Sequence, residues 1–148
     1  MPNVSAERLT DIADALLQAA GASAEEATTI ARYNIGANLV GHDSHGIILI
    51  PTYIDRIKAG HIVPGAPWTI IQETGTSTVI DGNWGFGYVV TDRAMRYTID
   101  KAEQQQVAAA TVYHQSHIGR LASYPLMAAR DRNYLYRMIK RHGIARKE

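Results

Sequence analysis

Ser77-Thr-Val-Ile-Asp81-Gly-Asn-Trp-Gly85-Phe-Gly87, followed by a helical pattern from Tyr88 to Gln104 and the apolar run Val107-Ala-Ala-Ala-Thr-Val-Tyr113, decides the fold. The first five residues read as a short strand. The glycine-rich stretch Asp81–Gly87 reads as a tight turn into the helix. Tyr88, Met95, Ile99 and Ala102 share one face of that helix. Val107–Tyr113, apolar and β-branched at several places, is expected to be a buried strand. A strand, helix, strand order implies a right-handed crossover and a parallel or mixed sheet.

Upstream, Thr69–Glu73 pairs with Ser77–Asp81 as a hairpin around Thr74-Gly75-Thr76. Downstream, His114–Gly119 is a loop and Arg120–Arg130 a helix, so residues 69–130 read β-β-α-β-α. Residues 1–62 read as helical. Ser5 caps a helix over residues 5–20, with Leu9, Ile12, Ala13, Leu16 and Leu17 at helical spacing. Ser23-Ala-Glu-Glu26 is a capping box that starts a second helix, running to about Leu39 with Ala27, Ile30 and Ala31 inward. His42 to Ile50 is a loop or helix start. Pro51 suits a first helical turn, Ile50, Ile54 and Ile57 form one stripe, and Gly60 is the C′ residue. Pro64 and Pro67 lie in an extended linker. The expected class is α/β (α+β): a helical region over 1–64, a partial mixed α/β domain over 65–133, and a divergent tail over 134–148.

Two histidines carry the chemistry. His45 lies in Ser44-His45-Gly46 and His117 in Ser116-His117-Ile118-Gly119. An imidazole with an unperturbed pKa of about 6.5 suits proton transfer near neutrality. His45 is placed to aim a ring nitrogen at a ligand carbonyl or carboxamide, or to cap backbone groups at a helix start. His117 follows a strand, where α/β sheets collect ligands, and it also reads as a surface-loop histidine. Gly119-Arg120 would open a helix whose N–H groups suit a phosphate. His42, His61, His114 and His142 are weaker candidates, and no metal site is expected because the spacing of His42, Asp43 and His45 is too compressed. Gly85-Phe-Gly87 is a G-x-G, but Val90 stands where the third glycine of a dinucleotide fingerprint would be. Trp68, Trp84 and Phe86 read as core or interface residues.

The 148 residues are 46% hydrophobic and 20% charged, with a net charge of +1. That composition is globular and gives no general drive toward nucleic acid or membranes. There is no cysteine, hence no thiolate chemistry. No signal peptide or membrane span is read, so a soluble cytoplasmic protein is expected. Charge is uneven: residues 1–130 hold nine Lys+Arg and twelve Asp+Glu, and residues 131–148 hold six and two. The segment starting at Tyr134 is therefore basic. A sheet of so few strands also looks unfinished.

The stretch Asn38 to Ile54, containing Gly41-His42-Asp43-Ser44-His45-Gly46, resembles the malate/L-lactate dehydrogenase family, and its hydroxycarboxylate dehydrogenase subgroup most closely. Val79–Gly87 resembles that family's Val-Asp-Gly turn, and His114–Gly119 its Asn-Ser-x-His-x-Gly loop. The resemblance covers nearly all of residues 5–133. It implies a non-Rossmann fold, NAD or NADP as cofactor, a small 2-oxo or 2-hydroxy acid as substrate, and a homodimer. It implies that His45 contacts the nicotinamide and substrate end of the cofactor. It implies that His117 is the general acid/base, and that Gly119, Arg120 and Leu121 hold the cofactor. Many members have Ser-His-Gly-x-x-Arg, where this chain has Leu49. Members run to more than twice this length, so the expectation is a truncated N-terminal portion with weak or no activity of its own. The competing reading is a non-catalytic remnant or interaction module that self-associates. Nucleic-acid binding by the tail is a distant third.

Overall fold

The computed structural model describes residues 4–130. The basic segment starting at Tyr134 lies outside the described residues.

Helix α1 spans Ala6–Ala19 and α2 spans Ala24–Leu39. Ser5 caps α1 by accepting from Arg8 N at 3.2 Å. The capping box of α2 is complete: Glu26 N donates to Ser23 Oγ at 3.3 Å and Ser23 N donates to Glu26 Oε2 at 2.9 Å. The two helices pack on one another, burying Ala13, Leu17, Ala27, Ile30 and Ala31. Two short 3-10 turns, Asp43–His45 and Ile47–Leu49, lead into α3 at Ile50–Lys58. Pro51 stands in its first turn, and Gly60, at φ +72°, follows its end.

Strands β1 (Thr69–Glu73), β2 (Ser77–Gly85) and β3 (Ala109–Gln115) form a sheet in that order. β1 is antiparallel to β2, and β3 is parallel to β2. Helix α4 (Gly87–Gln105) connects β2 to β3, and α5 (Ser123–Arg130) follows. This mixed sheet is the expected α/β arrangement. Lys101 pins the hairpin to α4 through Glu73 at 2.7 Å, Thr74 O at 2.8 Å and Thr78 Oγ1 at 2.8 Å. One apolar cluster crosses residue 64, joining Leu17, Ile30 and Ile50 to Phe86, Tyr88 and Tyr124.

Three sequence expectations need correction. The Asp81–Gly87 turn is mostly strand: β2 runs on to Gly85 through an irregularity, with Asn83 and Trp84 at positive φ. The β3 strand is not buried. It alternates exposed and half-buried positions, because among the described residues it is the edge of the sheet and only one of its faces meets α4. The last helix begins at Ser123 rather than Arg120. Gly119, at φ +72°, breaks the chain direction first, and the Arg120 carbonyl accepts from Ser123 N at 3.1 Å.

Glu26 ties the halves together. It is 6% exposed, and its Oε1 accepts from Gly65 N at 2.8 Å, so one carboxylate serves the cap of α2 and the linker. Glu26→Ala removes both anchors. The expected loss is about 2 kcal/mol, from a cap and a charge-assisted bond, read as a lower urea midpoint. Glu25→Ala is the control. Glu25 is exposed and pairs with Arg93 at 3.2 Å, so its loss should leave the midpoint unchanged.

Candidate active site

The 3-10 turns carry His45 and the segment after β3 carries His117. The fold brings the two rings to 5.3 Å between centroids, tilted by 37°. Asn38, near the end of α2, organises the first segment. Its Nδ2 donates to Asp43 Oδ1 at 2.6 Å and its Oδ1 accepts from Ile47 N at 2.9 Å. His42 packs edge-on against His45 at 4.4 Å.

Behind the rings stands a wall of tyrosines. Tyr53 of α3 and Tyr88 of α4 are both buried. Tyr53 Oη lies 3.0 Å from His117 Nδ1 and 3.2 Å from Tyr88 Oη, and Tyr88 Oη reaches the His45 carbonyl at 3.5 Å. A carbonyl can only accept. The orientation that satisfies all three bonds has His117 Nδ1–H donating to Tyr53, Tyr53 to Tyr88, and Tyr88 to His45 O. A neutral His117 so held presents the lone pair of Nε2. On the other ring, Ser44 Oγ engages His45 Nδ1 at 3.0 Å. Neither Nε2 has a hydrogen-bond partner among the described residues.

Burial lowers the His117 pKa from its usual value, and the neighbouring charges of His45 and Arg56 push the same way. Burial and the Tyr88 hydroxyl push Tyr53 far above the tyrosine range, so Tyr53 is a fixed donor at neutral pH rather than a base. Close packing holds the geometry. A side chain at Gly119 would overlap the Tyr88 ring, and one at Gly87 would overlap the backbone of Ser116 and His117.

Of the expected site residues, His45 and His117 meet. Gly119 lies behind them against Tyr88. Arg120 turns into a separate cleft with α2, α4 and α5, and Leu121 is 67% exposed. Leu49 packs partly buried against the core. His114 lies elsewhere, 3.2 Å from Asp81 and stacked near Trp84. Tyr53, Tyr88 and Asn38 were not singled out from the sequence. Tyr53 interrupts an isoleucine stripe, which was the available signal for it. Among the described residues no group of three His, Cys, Asp or Glu side chains is placed to hold a metal, and no helix is long and apolar enough to cross a membrane.

A small mixed sheet with a helical layer packed against it is a frame this chain shares with solved malate dehydrogenases. The chain belongs to the malate/L-lactate dehydrogenase family, whose pattern matches residues 4–136. It is 37% identical over 116 residues to hydroxycarboxylate dehydrogenase B of Escherichia coli O157:H7, covering 78% of this chain and 32% of that protein. It is 34% identical to the L-sulfolactate dehydrogenase of Methanothermobacter thermautotrophicus over 84% of this chain and 37% of that one. Among solved structures, malate dehydrogenase from Pyrococcus horikoshii superposes with a TM-score of 0.85 at 30% identity, over 86% of this chain and 37% of that one. The malate dehydrogenase of Entamoeba histolytica gives 0.83 at 39% identity, over 86% and 36%. The chain thus spans about a third of the length of the relatives it matches.

The His117 ring is expected to titrate below the ordinary histidine range in proton NMR, because burial and nearby positive charge oppose its protonation. Arg56 is exposed, and Arg56→Gln should move that titration upward. A ring titrating clearly above neutrality would remove the basis for a neutral His117 at pH 7.

Proposed function

We propose that this chain carries the reacting end of an NAD(P)-dependent dehydrogenase that interconverts a small 2-hydroxy acid and its 2-oxo acid. The observation that supports it most is the facing imidazole pair, with both Nδ1 atoms engaged and both Nε2 atoms free. Two free ring nitrogens in front of a tyrosine wall, each able to accept when neutral and to donate when protonated, fit a carboxamide and a substrate oxygen side by side. A reduced nicotinamide, when bound, supplies hydride to the substrate carbonyl carbon.

His117 does the proton work. In reduction, its protonated Nε2 gives a proton to the substrate oxygen. In oxidation, its neutral Nε2 takes that proton from the hydroxyl. The Nδ1–H bond to Tyr53 keeps the ring aimed and the tautomer fixed. His45 orients the cofactor end, and the backbone of Gly119, Arg120 and Leu121 holds the rest of the cofactor. Leu49 offers no cation for a substrate carboxylate, so that anchor lies elsewhere. We place the activity in the cytoplasm, where the dinucleotide pool and small oxo acids are found.

A specific observation favours a second reading. Leu39, Val40, Ile48 and Leu121 are 57 to 72% exposed. Exposed aliphatic side chains of this size suit a protein contact, in keeping with a homodimer or with a non-catalytic module that self-associates.

Titrating the purified chain with NADH, followed by nicotinamide fluorescence, separates the two. Saturable binding weakened by His45→Ala is expected. With a 2-oxo acid present, His117→Gln should lower turnover by roughly 10²–10⁴-fold, the usual worth of a general acid, while leaving NADH binding intact. Self-association with no cofactor binding would favour the interaction module.

A further inference from the structure

Beyond the imidazole pair, the described residues enclose a cleft of about 640 Å³ between α2, α4 and α5. Three arginines line it, one from each side: Arg32 on α2, Arg96 on α4, and Arg120 from the turn before α5. Against them stands one lining carboxylate, Asp100. Two of the cations are fixed from beneath. Asp92, 8% exposed, accepts from Arg32 Nη2 at 2.8 Å, Arg96 Nε at 2.7 Å and the Tyr33 hydroxyl at 2.7 Å. The Arg32 guanidinium also lies 4.9 Å over the Tyr33 ring. Each guanidinium carries five N–H donors, so this anchoring leaves donors facing the cleft. The Arg120 guanidinium has no hydrogen bond or ion pair among the described residues.

We propose that this cleft binds a phosphate monoester. Three separate guanidiniums, two of them held rigid, match a dianion with three acceptor oxygens better than they match a single carboxylate. The volume suits a ligand of nucleotide size. The cleft also backs onto the proposed reaction centre. Tyr33, in its wall, stacks on Tyr88 at 5.6 Å, and Tyr88 meets His117 edge-on at 6.1 Å. The phosphate therefore comes either from the 2′-phosphate of a dinucleotide, which rests on the reading given under Proposed function, or from a free phosphate ester, which does not.

The test is a titration of the intact chain with inorganic phosphate, against chloride of equal ionic strength, followed by NMR of the arginine side-chain N–H groups. Saturable shifts at Arg32, Arg96 and Arg120 are expected. Arg120→Gln should weaken binding roughly tenfold, the worth of one charge-assisted bond, and Arg120→Lys should weaken it less. Arg120 has no structural partner to lose, so misfolding does not confuse the result. NADPH binding more tightly than NADH, with the difference lost in Arg120→Gln, assigns the site to the dinucleotide. Phosphate binding with no preference between NADPH and NADH assigns it to a free ester. Phosphate binding with neither dinucleotide bound leaves the cleft standing and removes the dehydrogenase reading. Shifts that do not saturate, or that Arg120→Gln leaves unchanged, overturn the proposal.

Discussion

The rest of the structure turns on the Tyr88 side chain. It projects from the first turn of α4, and its ring is the surface on which three other segments settle. Tyr33 of α2 stacks on it, Tyr53 of α3 and His117 each meet it edge-on, and Gly119 lies against it closely enough to exclude any side chain. Its hydroxyl closes the chain of bonds from His117 to the His45 carbonyl. Burial raises its pKa, so it stays a donor. A phenylalanine would keep the packing and break this chain of bonds. A small residue would break both, because an aromatic ring of this size contributes most of the contact area around it.

Much of this was legible in the sequence where a local signal coincides with a tertiary role. Ser23 and Glu26 announce the start of α2 by reciprocal capping, and the same glutamate then holds the linker. The order of strands and helices followed from the switch between alternating and helical patterns after Gly87. The His45 and His117 pair was visible because each histidine stands among small residues in a loop beside a regular element. What was not legible depends on distant partners. Tyr53 and Tyr88 look like ordinary core residues until the fold sets their hydroxyls in line. Arg120 looks like the first residue of a helix. Its left-handed neighbour Gly119 instead turns it toward Arg32 and Arg96, which lie far away in sequence. The exposure of β3 was likewise hidden, since Val, Thr and Tyr in alternation describe a strand without saying what covers its faces.

The two charged assemblies follow opposite strategies. Around His117, burial works against charge, and the ring is held by neutral hydroxyls that leave its proton exchangeable. Around Asp92, burial would raise the carboxyl pKa, yet bonds from Arg96 and Tyr33 and the charges of both arginines outweigh it and hold the group ionised. A buried carboxylate shared by two cations costs less than one left alone, because each partner satisfies a different lone pair. The first arrangement suits a group that must change protonation state during a reaction. The second suits groups that must never do so.

The parts of this hydrogen-bond chain all lie between Asn38 and Gly119. Asn38 shapes the turn that carries His45, α3 delivers Tyr53, α4 delivers Tyr88, and the segment after β3 delivers His117. Gly87 and Gly119 permit the close approach that brings them into register. Among the described residues, the hydrogen bonds that aim the imidazole pair all come from this stretch, with Tyr33 of α2 stacked behind Tyr88. This holds although the chain spans about a third of the length of its relatives. Affinity for a cofactor depends on how many contacts surround it, but the aim of His117 depends on Tyr53 and Tyr88. Orientation and affinity are separable, and the residues that set orientation lie in this stretch.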